Sequence, residues 1–85
     1  MAELTVRYFA GARTAAGRDS ETLTVGPGLS TLDEVLRELS SRHGPGLAKV
    51  LAACSYLIDE TAVRDRSATL PPGATLDVLP PFAGG

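Results

Sequence analysis

The stretch Thr75-Leu76-Asp77-Val78-Leu79-Pro80-Pro81-Phe82-Ala83-Gly84-Gly85 closes the sequence and decides how the fold is interpreted. Its first part, 75–79, is an apolar run typical of a buried strand. Because proline has no N–H to donate, Pro80 and Pro81 end this strand and keep the chain extended beyond it. Glycine has no Cβ, so the two glycines accept almost any backbone conformation and occupy little width. We therefore expect a folded domain over 1–81 and a flexible tail over 82–85.

A stiff spacer followed by a narrow tip suits a terminus whose carboxylate must enter the active site of another protein. The extended reach from Phe82 to Gly85 is about 14 Å, enough to cross the wall of a pocket. A frayed, glycine-rich terminus is the alternative interpretation, since chain ends are commonly disordered. The two prolines and the strand before them favour the first interpretation.

Length and composition limit the class of protein. The 85 residues suffice for one domain, and the hydrophobic content of 44% is ordinary for a folded one. Eight basic residues against ten acidic residues leave no cationic surface for nucleic acid or an anionic membrane. The sequence has no apolar run long enough to span a membrane and no signal-peptide pattern, so we expect a cytoplasmic protein.

Alternating residues near the N-terminus predict a β-hairpin. Within 3–10, Leu4, Val6 and Tyr8 fall on one face of an extended chain, and the residues between them fall on the other. Residues 21–25 alternate in the same way, so the two segments are expected to pair. The connecting residues, 11–20, begin and nearly end with glycines and are predicted to form a loop.

The clearest helix begins at Thr31, which forms a capping-box pattern with Glu34. Its apolar residues recur at the spacing of one helix face and are Leu32, Val35, Leu36 and Leu39. Gly44 and Pro45 predict where this helix ends.

The rest of the chain completes an α+β pattern. We predict a short helix within 46–53, strands over 54–58 and 62–64, and the final strand over 75–79. This order predicts a mixed sheet of four to five strands with one main helix packed on one face. The last strand is expected to run parallel to the first at the centre of the sheet.

Few residues in the sequence are candidates for catalysis or metal binding. Cys54 and His43 each occur once, so neither an internal disulfide nor a metal site is expected. Cys54 is predicted to lie in the core, and His43 to cap the main helix or lie at the surface. There is no phosphate-binding glycine motif and no nucleophile elbow. By elimination, the distinctive reactive group is the carboxylate of Gly85.

A carboxylate needs activation before a nucleophile can attack it. Condensation with ATP on a separate activating enzyme would make an acyl-adenylate, and a sulfur nucleophile could then displace AMP to give a thiocarboxylate. An amine attacking instead would form an amide. We therefore expect a chain without catalytic machinery or a bound cofactor of its own, with ATP used by the activating enzyme.

Nearly the whole chain resembles the ubiquitin-like β-grasp sulfur carriers, most closely the small subunit of molybdopterin synthase (MoaD type). The segments that carry the resemblance are Val6-Arg7-Tyr8-Phe9-Ala10 with Arg13 and Gly17, Thr31-Leu32-Asp33-Glu34-Val35-Leu36, and Leu79-Pro80-Pro81-Phe82-Ala83-Gly84-Gly85. The ending P-P-x-x-G-G after a strand is specific at this chain length, whereas Gly-Gly alone is not.

The resemblance implies a function for the tail. Gly85 would be adenylated by an E1-like activating enzyme and converted to a thiocarboxylate. Pro80, Pro81, Phe82, Ala83 and Gly84 would then carry it into the large subunit of molybdopterin synthase. There the sulfur would pass to a cyclic pyranopterin monophosphate to build the dithiolene of molybdopterin. The implied assembly is a heterotetramer of two small and two large subunits.

One turn departs from the family pattern. The family often has Asn-Gly or Asp-Gly after its third strand, whereas this chain has Asp59-Glu60-Thr61. We therefore expect a longer or differently bent turn there.

Two apolar residues are predicted to face outward and contact the partner. If Leu4, Val6 and Tyr8 face the helix, Phe9 faces away from it, and Leu79 does so on the last strand. Large outward apolar residues on neighbouring strands indicate a contact surface.

The sequence is also compatible with other functions. A carrier could deliver sulfur to another acceptor, in thiazole, cysteine or tRNA thiolation. A ubiquitin-like modifier would instead attach Gly85 to a lysine of a target, and a simple binding module would do no chemistry. Lys49 is the only lysine, which favours a carrier over a modifier that builds chains on itself.

Overall fold

The structure is a computed structural model that describes residues 2–81, and the predicted tail over 82–85 lies outside the described residues. The described chain contains five strands and three helices. In order they are β1 (Ala2–Tyr8), α1 (Ala10–Ala16), β2 (Ser20–Val25), α2 (Leu32–His43), α3 (Pro45–Leu51), β3 (Ser55–Ile58), β4 (Thr61–Val63) and β5 (Thr75–Leu79).

The last strand lies at the centre of one mixed sheet, whose strand order is β2-β1-β5-β3-β4. β5 pairs in parallel with β1 and antiparallel with β3, and both outer pairs, β1 with β2 and β3 with β4, are antiparallel. Parallel neighbours need a long crossover between them, and the chain from β2 to β4 supplies it. The predicted α+β class and the predicted parallel pairing at the centre are therefore confirmed.

One face of the sheet carries the core, to which all three helices contribute. The apolar stripe of α2 is buried, as its spacing predicts. Its capping box is formed, since the Glu34 N–H donates to Thr31 Oγ1 at 3.3 Å and the Thr31 N–H donates to the Glu34 carboxylate at 3.1 Å. Gly44 has φ 88° and ψ −173°, so the chain turns at once and Pro45 begins α3. The predicted main helix and short helix are both confirmed.

The connection between the first two strands is not the loop that was predicted, because α1 occupies Ala10–Ala16. Ala12 is fully buried, and Ala15 and Ala16 pack against the core. Alanine has the highest helix propensity and is small enough to let a short helix approach the sheet closely. Gly17, with φ 76°, ends this helix in the left-handed conformation and donates its N–H to the Arg13 carbonyl at 2.9 Å. The glycine that suggested a loop is thus a helix C-cap.

The turn between β3 and β4 is short, and the prediction of a longer or differently bent turn is wrong. Ile58 pairs with Thr61, so only Asp59 and Glu60 lie between the strands. Their φ angles are 48° and 68°, as both central residues of a type I′ hairpin require. Asp59 tolerates this conformation, and its carboxylate accepts the Thr75 N–H at 2.9 Å. That bond ties the turn to β5.

Glu60 has a positive φ angle that an L-residue with a side chain adopts only with strain. Glu60→Gly would relieve about 1 kcal/mol of strain or more, partly offset by the greater freedom of glycine in the unfolded chain. We expect a net rise of about 0.5 kcal/mol in the unfolding free energy, measured by urea denaturation. Glu60→Ala loses the same carboxylate but keeps the Cβ, so it is the matched control. Equal stability of the two variants would contradict this account of the turn.

A buried carboxylate joins the first two strands to the end of α2. Glu21, whose side chain is 5% exposed, accepts the Tyr8 hydroxyl hydrogen at 2.5 Å and lies 2.5 Å from His43 Nε2. Arg42 Nη1 lies 3.6 Å from the other carboxylate oxygen. The sequence predicted that His43 caps the main helix or lies at the surface. In the structure it instead connects α2 to β2. Burial raises the pKa of Glu21, but the hydrogen bonds from Tyr8 and His43 outweigh it, so the pKa lies below its ordinary value.

This pKa shift makes stability depend on pH in a definite direction. A carboxylate whose pKa is lower in the folded state stabilises the protein above its unfolded pKa, near 4.5, and the stabilisation is lost as the pH falls through the folded value. Glu21→Gln should lower the unfolding free energy at pH 7 by about 1–3 kcal/mol. The difference between wild type and variant should shrink below pH 4.5. Urea denaturation at several pH values measures this, and a difference that stays constant down to acid pH would contradict it.

Candidate functional site

The site begins where β5 ends, because the predicted reactive tail leaves the domain there. The end of β5 is held on both sides: Leu79 pairs with Ser55 of β3, and the Phe9 N–H donates to the Val78 carbonyl at 3.2 Å. Pro80 is half-buried and Pro81 is exposed. The predicted tail residues Phe82, Ala83, Gly84 and Gly85 lie outside the described residues. The described chain therefore gives the tail a fixed base.

Phe9 and Leu79, which we call the exit patch, lie side by side at this base. The parallel register pairs Tyr8 of β1 with Val78 of β5. The residues that follow them, Phe9 and Leu79, are therefore neighbours as well. Phe9 is 38% exposed and is the one large hydrophobic residue exposed within 2–81. Leu79 is half-buried, so the outward apolar surface is smaller than predicted. Their part in partner binding is a prediction that geometry alone does not test.

An ion pair beside the exit patch was not predicted from the sequence. Arg7 and Asp77 are register partners on β1 and β5, with Arg7 Nε 2.6 Å from Asp77 Oδ1 and Nη2 2.8 Å from Oδ2. The Arg7 Cζ atom lies 5.6 Å from the centroid of the Phe9 ring, within cation–π range. The hydrogen bond to Asp77 raises the pKa of Arg7, so the guanidinium stays charged.

A signal for this pair was present in the sequence. Asp77 is the one acidic residue inside the apolar run 75–79, and Arg7 occupies an outward position of the alternating first strand. Because these two strands were predicted to be parallel neighbours, opposite charges on them could have been matched. Matching these two charges requires knowing which residues of the two strands lie opposite each other, and the sequence of either strand alone does not give this register.

Cys54 is not available as a nucleophile. Its thiol donates to the Val50 carbonyl at 3.1 Å, and burial raises its pKa to about 11. A thiol with that pKa is protonated near neutral pH, and the thiolate is the reactive form. Cys54 is half-buried just before β3 rather than in the core strand that was predicted.

No group of three or more histidine, cysteine, aspartate or glutamate side chains within residues 2–81 could hold a metal ion. None of the helices in this range is long and apolar enough to cross a membrane.

Similar structures have the same fold. The small archaeal modifier protein 1 of Methanosarcina acetivorans superposes with a TM-score of 0.82 at 25% identity, covering 100% of this chain and 98% of that one. A chain of the complex of subunits 1 and 2 of the molybdopterin-converting factor of Helicobacter pylori superposes with a TM-score of 0.70 at 20% identity, covering 98% and 99%. The fold is therefore the ubiquitin-like β-grasp.

Sequence comparison identifies the family. The molybdopterin synthase sulfur carrier subunit of Chlamydomonas reinhardtii is 32% identical over 98% of this chain and 99% of its own length. The human molybdopterin synthase sulfur carrier subunit is also 32% identical, over 100% of this chain and 97% of its own length. The model of the ThiS family matches residues 6–85. Because that match spans the sheet, the helices and the Gly-Gly end, this chain belongs to the ThiS family.

Proposed function

We propose that this chain is a sulfur carrier for molybdopterin synthesis, and that the carboxylate of Gly85 carries the sulfur. Membership of the ThiS family supports the proposal, as do two relatives named sulfur carrier subunits that match over almost their whole length. The structural observation that carries it is the path of β5. This strand is paired on both sides and runs directly into Pro80 and Pro81, so the tail starts from a rigid base.

The sulfur is loaded in two substitutions and then donated. A carboxylate oxygen of Gly85 attacks the α-phosphorus of ATP, and pyrophosphate leaves. A sulfur nucleophile then attacks the acyl carbon, and AMP leaves with the electrons of the broken C–O bond, which gives a thiocarboxylate. The thiocarboxylate sulfur then bonds to a carbon of the pterin precursor in place of an oxygen substituent. Water attacks the acyl carbon and the acyl C–S bond breaks, so the sulfur stays on the pterin and Gly85 returns to the free acid. A dithiolene contains two sulfurs and therefore consumes two thiocarboxylates. The activating enzyme uses the ATP, and this chain supplies only the acyl group.

The proposed acceptor complex includes the large subunit of molybdopterin synthase. The word subunit in the names of the relatives implies such a partner, and the Helicobacter pylori structure holds a second subunit beside its chain of this fold. The exit patch would dock on that partner, and Pro80 through Gly84 would pass into its active site. Two carriers and two large subunits would form a heterotetramer.

A covalent protein modifier is the second candidate, favoured by the likeness to an archaeal modifier protein. Both candidates pass through the same adenylate at Gly85, so activation alone does not separate them. A carrier holds its sulfur as a thiocarboxylate and returns to the free acid. A modifier ends in an isopeptide bond to a lysine of another protein.

Mass spectrometry of the intact chain tests the carrier against the modifier. After incubation with its activating enzyme, ATP and a sulfur source, the chain should gain the mass difference of sulfur for oxygen. Adding the large subunit and the pterin precursor should reverse this gain and produce molybdopterin. Stable conjugates to many proteins without any thiocarboxylate would instead identify a modifier.

Deleting Gly85, or adding one alanine after it, should abolish the gain in mass without changing the melting temperature, because the described core does not include Gly85.

The exit patch gives a separate prediction about partner binding. Phe9→Glu should weaken binding to the large subunit by about 2 kcal/mol or more, because it places a charge where an apolar contact is buried. The melting temperature should change little, since Phe9 is exposed in the free chain. Ser41→Glu, which adds the same charge to an exposed position of α2, is the control. Equal affinities of the two variants, measured by calorimetry, would remove Phe9 from the interface.

A further inference from the structure

The Arg7–Asp77 pair exposes its cation and hides its anion. The Arg7 side chain is 47% exposed, whereas the Asp77 side chain is only 6% exposed. Asp77 occupies Nε and Nη2 of the guanidinium, and Nη1 has no hydrogen-bond partner among the described residues. Arg7 therefore keeps donors for another molecule while Asp77 fixes the plane of its guanidinium group.

A cavity of about 260 Å³ lies on the side of Arg7 that faces the exit patch. It is lined by Arg7, Tyr8, Phe9, Arg13, Asp19 and Ser20. Arg13 is 59% exposed and lies 3.6 Å from Asp19, which is itself 83% exposed, so water screens that pair. The cavity thus combines two guanidinium groups and one highly exposed carboxylate with the edge of an apolar patch.

The opposite side of Arg7 has the other charge. There a second cavity, of about 270 Å³, is lined by Arg7, Asp59, Glu60, Thr75 and Asp77. Its carboxylates repel an anion, so an anionic group that reaches Arg7 is directed to the side of Phe9 and Arg13. The first cavity is lined by two arginines and one aspartate, and the second by one arginine and three acidic residues, so the first is the less negative of the two.

We propose that the protein docking on the exit patch inserts an aspartate or glutamate side chain between Arg7 and Arg13. Guanidinium groups bind carboxylates through two parallel hydrogen bonds, and such charge-assisted bonds are about twice as strong as neutral ones. Asp77 acts as a positioning residue, because it holds Arg7 in the orientation that the incoming carboxylate needs. The inference rests on the proposed function, in which this partner is the large subunit of molybdopterin synthase.

A purely structural role for the pair makes a different prediction. Asp77 is the buried member of the pair, and replacing such a charge together with its partner by apolar side chains is often neutral or stabilising, because the buried charge no longer has to be desolvated. If the pair only holds β1 to β5, its apolar replacement should keep both the fold and the affinity for the partner. If the pair recognises a partner carboxylate, the replacement should keep the fold and lose affinity.

The test compares the full chain with the double variant Arg7→Leu, Asp77→Val. We expect a melting temperature equal to or above that of the wild type, and an affinity for the cognate large subunit weaker by about tenfold or more. Arg7→Lys leaves a cation beside Asp77 but removes the planar fork, so it should fold and still bind about threefold or more weakly. If the double variant does not fold, the affinity of Arg7→Lys for the large subunit tests the inference instead. Arg37→Leu removes an exposed arginine from α2 and should bind like the wild type.

Replacing each acidic residue of the large subunit by its amide identifies the carboxylate. One such change should weaken binding of the wild-type chain about tenfold and leave binding of the double variant almost unchanged. Unchanged affinity of Arg7→Lys and of the double variant, or the absence of any coupled acidic residue, would overturn the inference while the proposed function stood. A wild-type chain that forms no thiocarboxylate and does not bind the large subunit would overturn both.

Discussion

The parallel pairing of β1 with β5 is the constraint on which the rest of the structure depends. Parallel neighbours cannot be joined by a tight turn, so both helices after β2 and the hairpin of β3 and β4 must be completed between them. The same pairing sets the register that brings Arg7 to Asp77 and Phe9 to Leu79. The hydrogen bonds between β1 and β5 therefore position residues of both the core and the outer surface.

The two faces of the sheet have different tasks. One face is covered by the helices and buries almost all large apolar side chains of the described residues. The other carries the ion pair and the exposed edge of the exit patch. Tyr8 and Phe9 illustrate the division, since Tyr8 points inward to Glu21 while the next residue is exposed. Because neighbouring residues of a strand face opposite ways, the outer face can change its chemistry without disturbing the core.

Much of this fold could be predicted from the sequence because its signals are local. The capping box at Thr31, the apolar stripe of α2 and the prolines after β5 each lie within a few residues of the feature they predict. α1 was missed because a helix of seven residues is marginal in isolation and gains most of its stability from packing, which its glycine-bounded sequence does not reveal. The turn at Asp59 and Glu60 was misjudged because its positive φ angles are held by a bond to Thr75, which is distant in sequence. The Arg7–Asp77 pair needed a register that only tertiary structure provides.

The central place of β5 also affects how the protein folds. β5 is the last described strand in sequence, yet it fills the middle of the sheet, so β1 and β3 have no common neighbour until it arrives. Folding that depends on contacts between distant residues is slow relative to folding through local contacts. A partly folded chain consequently has no fixed base for its tail and no paired Phe9 and Leu79. Any enzyme that binds the tail together with this base would therefore discriminate native chains from partly folded ones.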